Sequence, residues 1–485
     1  MEHQTRRLSL DWDRLSRWFS KTGKFLWKKS PELSVTKKTS AKKEAYYFAG
    51  LNEHLLRAVP IEAMEILEVG CAEGRLGEAI RGQVPGRRVY GIELDPVSAE
   101  RAATRLDRVL TLDLERDTPD IAPASLDLIL FGDVLEHLLD PGAVLRRYSL
   151  LLRPGGRILC CIPNIQHHSI LSSLIRGDFQ YQESGLLDAT HLRFFTWASF
   201  SKLLLDGGFA PSIRSAIPSP MRRGLKRAFQ PLFARLKVDP ERGSAGLSAY
   251  QWIFEGTPLG WDRNATEESI SFIACVNDET QLAENLAASP CFHSDIPHEL
   301  ITVRGTTSIA EGFKAGLAQA SHEFVVLIHQ DVYLPAGWPA RFLQQWRQAE
   351  AQFGKVGVAG VYGVAMDINS PRGVFRAGHV VDRMVLLREP AVLPAQVQTL
   401  DELLVAVRRD NTLSIDPALG FHFYGADLGL QARKSGLAAV VLDAPCFHNS
   451  RTESELGSDF HKSGKALKAK WSSELPIATS CTVLR

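Results

Sequence analysis

The chain has 485 residues, 45% hydrophobic and 23% charged, with a formal net charge of +1. That length predicts two to three domains, each able to bury a core, and the near-neutral balance excludes whole-molecule attraction to nucleic acid. Seven scattered cysteines, nowhere spaced C-x-x-C, exclude a disulfide framework and a zinc knuckle, and no run of about 18 apolar residues could span a membrane.

Residues 1–43 hold twelve Lys/Arg against four Asp/Glu, with Leu8, Trp12, Leu15 and Phe19 at helical spacing. Charges also stand where a secretion signal needs an apolar stretch, so the expected location is the cytoplasm. From residue 44 to about 210, strand runs EILEVG, RVYGIEL, LDLILFGD and GRILCCIP alternate with helical patterns. Alternation of that kind predicts a parallel sheet covered on both faces. Residues 219–243 carry seven Lys/Arg against two Asp/Glu, with Met221, Leu225, Phe229, Phe233 and Leu236 about a turn apart. Pro231 is expected to break or kink that helix. AYQWIFEGT, residues 249–257, reads as a late strand of the same sheet, which makes the basic stretch an insertion. The plainer expectation for both basic helices is packing on a neighbouring domain. The other is peripheral contact with the inner face of a membrane.

The run Ile66 to Gly74 puts small residues at a strand-to-helix turn, where backbone must approach a ligand closely. The next strand ends in Glu93, placed to accept both ribose hydroxyls of an adenosine cofactor. A dinucleotide dehydrogenase would need G-x-G-x-x-G. Here the small residues fall as Gly70, Ala72 and Gly74, preceded by Glu68. With Leu112-Asp113-Leu114, Asp133-Val-Leu-Glu136-His137, Leu152-Arg-Pro-Gly-Gly156, Ile162-Pro163-Asn164 and Leu187-Asp188-Ala-Thr-His191-Leu-Arg193, residues 44–257 resemble a Rossmann-like, class I S-adenosylmethionine-dependent methyltransferase. The resemblance implies that Glu68, Gly70, Ala72, Gly74, Glu93, Asp113 and Asp133 bind the cofactor, with Glu93 on the ribose and Asp113 near the adenine. For a hydroxyl acceptor the general base is expected at His191, oriented by Asp188, with His137 second.

A linker is expected at 258–267. A second alternation then begins: SISFIACVND, HELITVRG, EFVVLIHQDV and VGVAGVYG as strands, with helices between them. Asp331 closes the third of these strands, at the carboxyl end where an open sheet presents ligand groups, and one carboxylate there suits a divalent metal. His329-Gln330-Asp331-Val332, Gly420-Phe-His422-Phe-Tyr424-Gly-Ala-Asp427 and Pro445-Cys-Phe-His448-Asn449-Ser450 resemble the GT-A-like, family 2-type glycosyltransferases, over residues 268–475 of a domain expected to span 268–485. That resemblance implies Mn²⁺ or Mg²⁺ held by Asp331 and His448 with the nucleotide sugar, Asp278 near the nucleotide base, and Asp427 as general base. Asp401 and Glu402 are next in line. Lys314 stands where relatives carry Asn, which bears on the donor and on activity.

The expectation from the whole chain is a bifunctional enzyme of polysaccharide biosynthesis, methylating a sugar hydroxyl and transferring a sugar to a glycan or lipid-linked acceptor. Nucleic acid is not an expected partner. Two alternatives are a methyltransferase with a non-catalytic glycan-binding module, and an O-methyltransferase of a small molecule or lipid.

Overall fold

A computed structural model describes residues 51–219, 221–236, 238, 240–260, 268–367, 373–383, 385–389, 391–410, 412–450 and 457–485. The segment 1–43 and residues 261–267 of the expected linker lie outside them. All the described residues fall in one compact unit, Phe48–Arg485. Among them no helix is long and apolar enough to cross a membrane.

The first half builds seven strands: β1 (Glu65–Val69), β2 (Arg88–Glu93), β3 (Arg108–Thr111), β4 (Leu126–Gly132), β5 (Leu152–Pro163), β6 (Phe209–Pro218) and β7 (Ala249–Pro258). They form one sheet in the order β3-β2-β1-β4-β5-β7-β6. The first five are parallel, and β7 runs antiparallel to both β5 and β6. Side chains alternate along each strand, so the core lies on both faces. Leu67, Val69, Ile129 and Phe131 face one cluster, while Ile66, Leu128 and Leu130 face the other. AYQWIFEGT lies in β7, a strand of the same sheet, as the sequence predicts, and it stands between β5 and β6.

The basic stretch before β7 forms the helix Arg223–Arg235, and it runs through Pro231. This corrects the expected break. Proline removes one backbone hydrogen bond, and on this exposed position water can satisfy the freed carbonyl. Phe229 and Phe233 pack with Leu247, Leu171, Met221 and Leu225, so much of the apolar stripe is covered within the protein.

The second half begins with β8 (Ile270–Val276), β9 (Glu299–Arg304), β10 (Phe324–Ile328), β11 (Val332–Tyr333), β12 (Val356–Gly360), β13 (Tyr362–Met366) and β14 (Val374–Asp382). It continues with β15 (Val385–Arg388), β16 (Ala395–Gln396), β17 (Thr399–Leu400), β18 (Leu404–Arg408), β19 (Ala438–Val441) and β20 (Phe447–His448). The main sheet runs β16-β19-β12-β18-β10-β8-β9. A second sheet runs β11-β20-β14-β13-β17 with β15 beside β14, and its β11 follows shortly after the carboxyl end of β10. The single apolar run VGVAGVYG divides at Val361 between the two sheets, which a one-strand reading missed.

Candidate functional site

In the first half, β1 ends in a turn of left-handed residues: Gly70 (φ 67°), Ala72 (φ 46°) and Gly74 (φ 77°). A Cβ on Gly70 would lie 2.5 Å from Val134 Cγ2, so this position must be glycine. The Glu93 carboxylate accepts from the Ala72 N–H at 2.8 Å, and from Leu94 and Asp95 N–H at 2.9 and 3.0 Å. It therefore ties the turn after β1 to the end of β2. Glu68 is buried beneath that turn, and burial pushes its carboxyl up to about 8, against the Gly77 N–H it accepts. Asp113 follows β3 and caps its own turn, accepting from Glu115 N–H at 2.9 Å. The cradle left by Gly70, with an acid at the end of β2, fits an adenosine-bearing cofactor.

Asp133 sits at the end of β4 with φ 55°, a conformation costly for a residue with a side chain. Gln251 of β7 donates to its carboxylate. Three residues on, Glu136 is 1% exposed, and neither carboxylate oxygen has a hydrogen-bond partner. Burial and the nearby charge of Asp133 hold Glu136 well above the carboxylate range. The loop 188–196 folds over this point. Its Leu192 and Arg193 N–H groups donate to the Glu136 carbonyl at 2.9 and 3.0 Å, and the Thr190 carbonyl lies 3.1 Å from His137 Nδ1. His191 Nε2 then stands 4.0 Å from Glu136 Oε1, with its ring edge-on to His137, centroids 4.9 Å apart. Asp188 is in the same turn, accepting from the Thr190 N–H and hydroxyl, and its carbonyl accepts from His191 N–H. Glu136 carried no expected role, although it stands in the quoted motif.

In the second half, Asp331 follows β10, and the strand pairings Val332↔His448 and Asp382↔His448 set three chain segments side by side. His448 Nε2 is 3.5 Å from Asp331 Oδ1, and its Nδ1 is 3.2 Å from Asp382 Oδ1. His329 Nδ1 is 4.0 Å from the same Asp331 oxygen. Its other nitrogen, Nε2, lies 3.2 Å from the Tyr424 hydroxyl, which itself donates to the Glu402 carbonyl. Tyr424 thus accepts from His329 Nε2–H, leaving the Nδ1 lone pair of that ring toward Asp331, while the carboxylates of Asp331 and Asp382 flank the two nitrogens of His448. Burial alone would lower His448, but Asp331 and Asp382 together raise it to about 10. Asp331 Oδ1 is buried without a hydrogen bond. Two imidazoles and a carboxylate within 4.8 Å fit a divalent cation. His329 and Asp382 were missed: the first stood in the quoted motif, whereas the second has no local signal.

Asp278 caps the helix Glu279–Glu284, accepting from Thr280 and Gln281 N–H, and Gln330 holds its backbone from the motif that carries Asp331. Lys314 lies on the exposed side of the helix Ile309–Leu317. Asp427 requires a correction. It is 0% exposed and is held by Trp471 Nε1 at 2.7 Å, Gln431 Nε2 at 2.7 Å and Lys470 Nζ at 2.9 Å. A carboxylate buried under the helix Ser458–Lys470 with three donors anchors that helix and has no access to an acceptor. Asp401 and Glu402 lie nearer the His329 cluster. Burial and the charge of Asp401 keep Glu402 well above the carboxylate range.

Residues 42–211 match the model of a methyltransferase domain, and residues 271–469 that of a glycosyltransferase-like family. Among curated proteins, a ubiquinone biosynthesis O-methyltransferase of Paracidovorax citrulli is 28% identical over 172 residues, covering 32% of this chain and 64% of that one. A trans-aconitate 2-methyltransferase of Methylobacterium radiotolerans is 34% identical over 113 residues, covering 23% and 42%. The chain thus spans less than two thirds of the length of these relatives. An S-adenosylmethionine-dependent methyltransferase structure from Archaeoglobus fulgidus aligns with TM-score 0.32 and 16% identity, covering 44% of this chain and 96% of that one.

Proposed function

From a chain that carries an S-adenosylmethionine-dependent methyltransferase domain over residues 42–211 and a glycosyltransferase-like domain over 271–469, we propose a bifunctional enzyme that methylates a hydroxyl of a glycan and adds a sugar to it. The observation that carries this reading is the His329–Asp331–His448 group, whose ring nitrogens are turned toward one carboxylate by Tyr424 and Asp382. A cation held there would answer the charge that builds on a nucleotide-diphosphate leaving group.

S-adenosylmethionine, when bound, supplies the electrophilic methyl group. The chain's own part is positioning and proton removal. Glu93 would hold the ribose while ordering the Ala72 turn, and Asp113 would lie by the adenine. His191, with His137 beside it, would face the acceptor oxygen. In the second half, His329, Asp331 and His448 would hold the cation that neutralises a nucleotide-diphosphate leaving group. Asp401 replaces Asp427 as the residue taking the acceptor proton, with Glu402, raised by burial and by the charge of Asp401, beside it. The names of the relatives favour a second reading, in which the methyl acceptor is a small-molecule hydroxyl.

Calorimetry tests both halves on the full chain. Glu93→Ala is expected to weaken S-adenosylmethionine by about 1.5–3 kcal/mol, and unchanged affinity would remove Glu93 from the ribose. Asp331→Ala is expected to abolish Mn²⁺-dependent binding of a sugar nucleotide. If the wild type binds none across a donor panel with Mn²⁺, the second domain is a glycan-binding module.

A further inference from the structure

His448 is fixed through its two neighbours in the chain. Before it, Phe447 pairs with Tyr333 across β20 and β11, and after it the Asn449 N–H donates to the Asp331 carbonyl at 2.9 Å. Whatever holds Phe447 and Asn449 therefore sets His448 and Asp331 relative to each other. Both lead back to one side chain of the first half. Lys202, on the helix Trp197–Asp206, reaches across so that Nζ stands 4.8 Å from the Tyr333 ring centroid and 5.5 Å from that of Phe447. The same Nζ donates to the Glu284 carbonyl and, at 3.0 Å, to Asn285 Oδ1. Asn285 is fully buried, and its Oδ1 also accepts from Asn449 Nδ2 at 3.3 Å. Its Nδ2 donates to the carbonyl and the side-chain oxygen of Gln281, both at 2.9 Å. Gln281 closes the ring of contacts, donating from Nε2 to the Asn449 carbonyl at 3.4 Å. The ammonium decides which way the Asn285 amide lies, because a flipped amide would turn its NH₂ toward a group that can only donate. Burial draws Lys202 down to about 8, and an ammonium stripped of water is held by its acceptors and by the faces of the two rings.

We infer that Lys202, a residue of the methyltransferase half, is a positioning residue of the cation centre in the glycosyltransferase half. It touches none of the three ligands. It acts on Asp331 through Asn285 and Asn449, and on His448 through the Tyr333 and Phe447 pair. The inference rests on the reading of His329, Asp331 and His448 as cation ligands, and adds that their geometry is completed from the other half of the chain. Partners that orient a ligand from behind matter to a metal site nearly as much as the ligands, since a cation is held tightly only when its donors are already in place. The glycosyltransferase half thus reaches its full affinity for the cation only with the helix that follows the loop of His191. That gives the two activities a physical reason to share one chain.

Electron paramagnetic resonance of Mn²⁺ on the full chain tests this in the wild type, Lys202→Met, Asn449→Ala and the two substitutions together. Asp331→Ala shows which part of the binding belongs to this centre. Methionine keeps the length and the apolar stem of Lys202, while circular dichroism and S-adenosylmethionine binding report that each variant is folded. Lys202→Met and Asn449→Ala are each expected to weaken Mn²⁺ at this centre about tenfold. Because they lie on one path, the pair is expected to lose little more than Lys202→Met alone. The fine structure of the bound Mn²⁺ signal, which follows ligand geometry, is expected to broaden in Lys202→Met, a change that lowered stability alone would not produce. Asn449 is half-buried, so Asn449→Ala still decides the matter if Lys202→Met does not fold. Unchanged affinity in either single variant, or losses that simply add in the pair, overturns the inference and leaves the centre in place. Wild type that binds no Mn²⁺, or binding that Asp331→Ala leaves intact, removes the centre itself and the inference with it.

Discussion

Glu68 shows how one buried acid couples the cofactor pocket to pH. Its carboxyl titrates near 8 in the folded chain, against about 4.3 when unfolded. Between those values the folded state holds a proton that the unfolded state has released, so stability falls as pH rises through that window and levels off above 8. Glu68→Gln keeps the neutral shape and removes the titration. In urea denaturation the variant is expected to gain about 1–3 kcal/mol on the wild type at pH 8, with no such gain at pH 5. A difference that is the same at both pH values would show that Glu68 is ionised normally. Ala72 is the other residue whose conformation speaks, since φ 46° is a left-handed value that favours glycine. Both residues stood out in the sequence, but burial and φ became visible only in the fold.

The helix Trp197–Asp206 does work that no local pattern reveals. It starts from a capping box between Thr196 and Ser199, directly after the loop that carries His191, and it ends against the other half of the chain. Its Asp206 accepts from the Tyr333 hydroxyl at 2.6 Å and from Ala336 N–H at 3.1 Å. Lys202 donates to the Glu284 carbonyl and to Asn285, and lies over the Tyr333 and Phe447 rings. Tyr333 and Phe447 are paired across β11 and β20, one step from Val332 and His448. One face of this helix therefore backs the strands that carry the cation ligands. Asp206→Ala is expected to cost about 1.5–3 kcal/mol, because it removes an acceptor from two donors in a partly buried contact. Differential scanning fluorimetry would read this as a lowered melting temperature, and an unshifted transition would mean that the contact adds nothing.

At the scale of the molecule, the two halves are joined through an apolar seam of Leu205, Tyr333, Val381 and Phe447, with Trp197, Ala198 and Leu259 against it. Cutting the chain between the halves would expose that seam. A fragment of residues 268–485 is expected to bind a hydrophobic dye, to melt below the full chain, and to hold Mn²⁺ more weakly. A fragment matching the full chain in all three would make the halves independent. By itself the sequence determined the two α/β alternations, the small-residue turn after the first strand and the motifs around Asp133, Asp331 and His448, because strand and helix periodicity and tight turns are written in neighbouring residues. Only the tertiary structure decided that Asp427 anchors a helix, that Glu136 meets two histidines, and that Asp382 stands behind His448. Those relations join residues about 40 to 70 positions apart through strand register and burial, which no local spacing encodes.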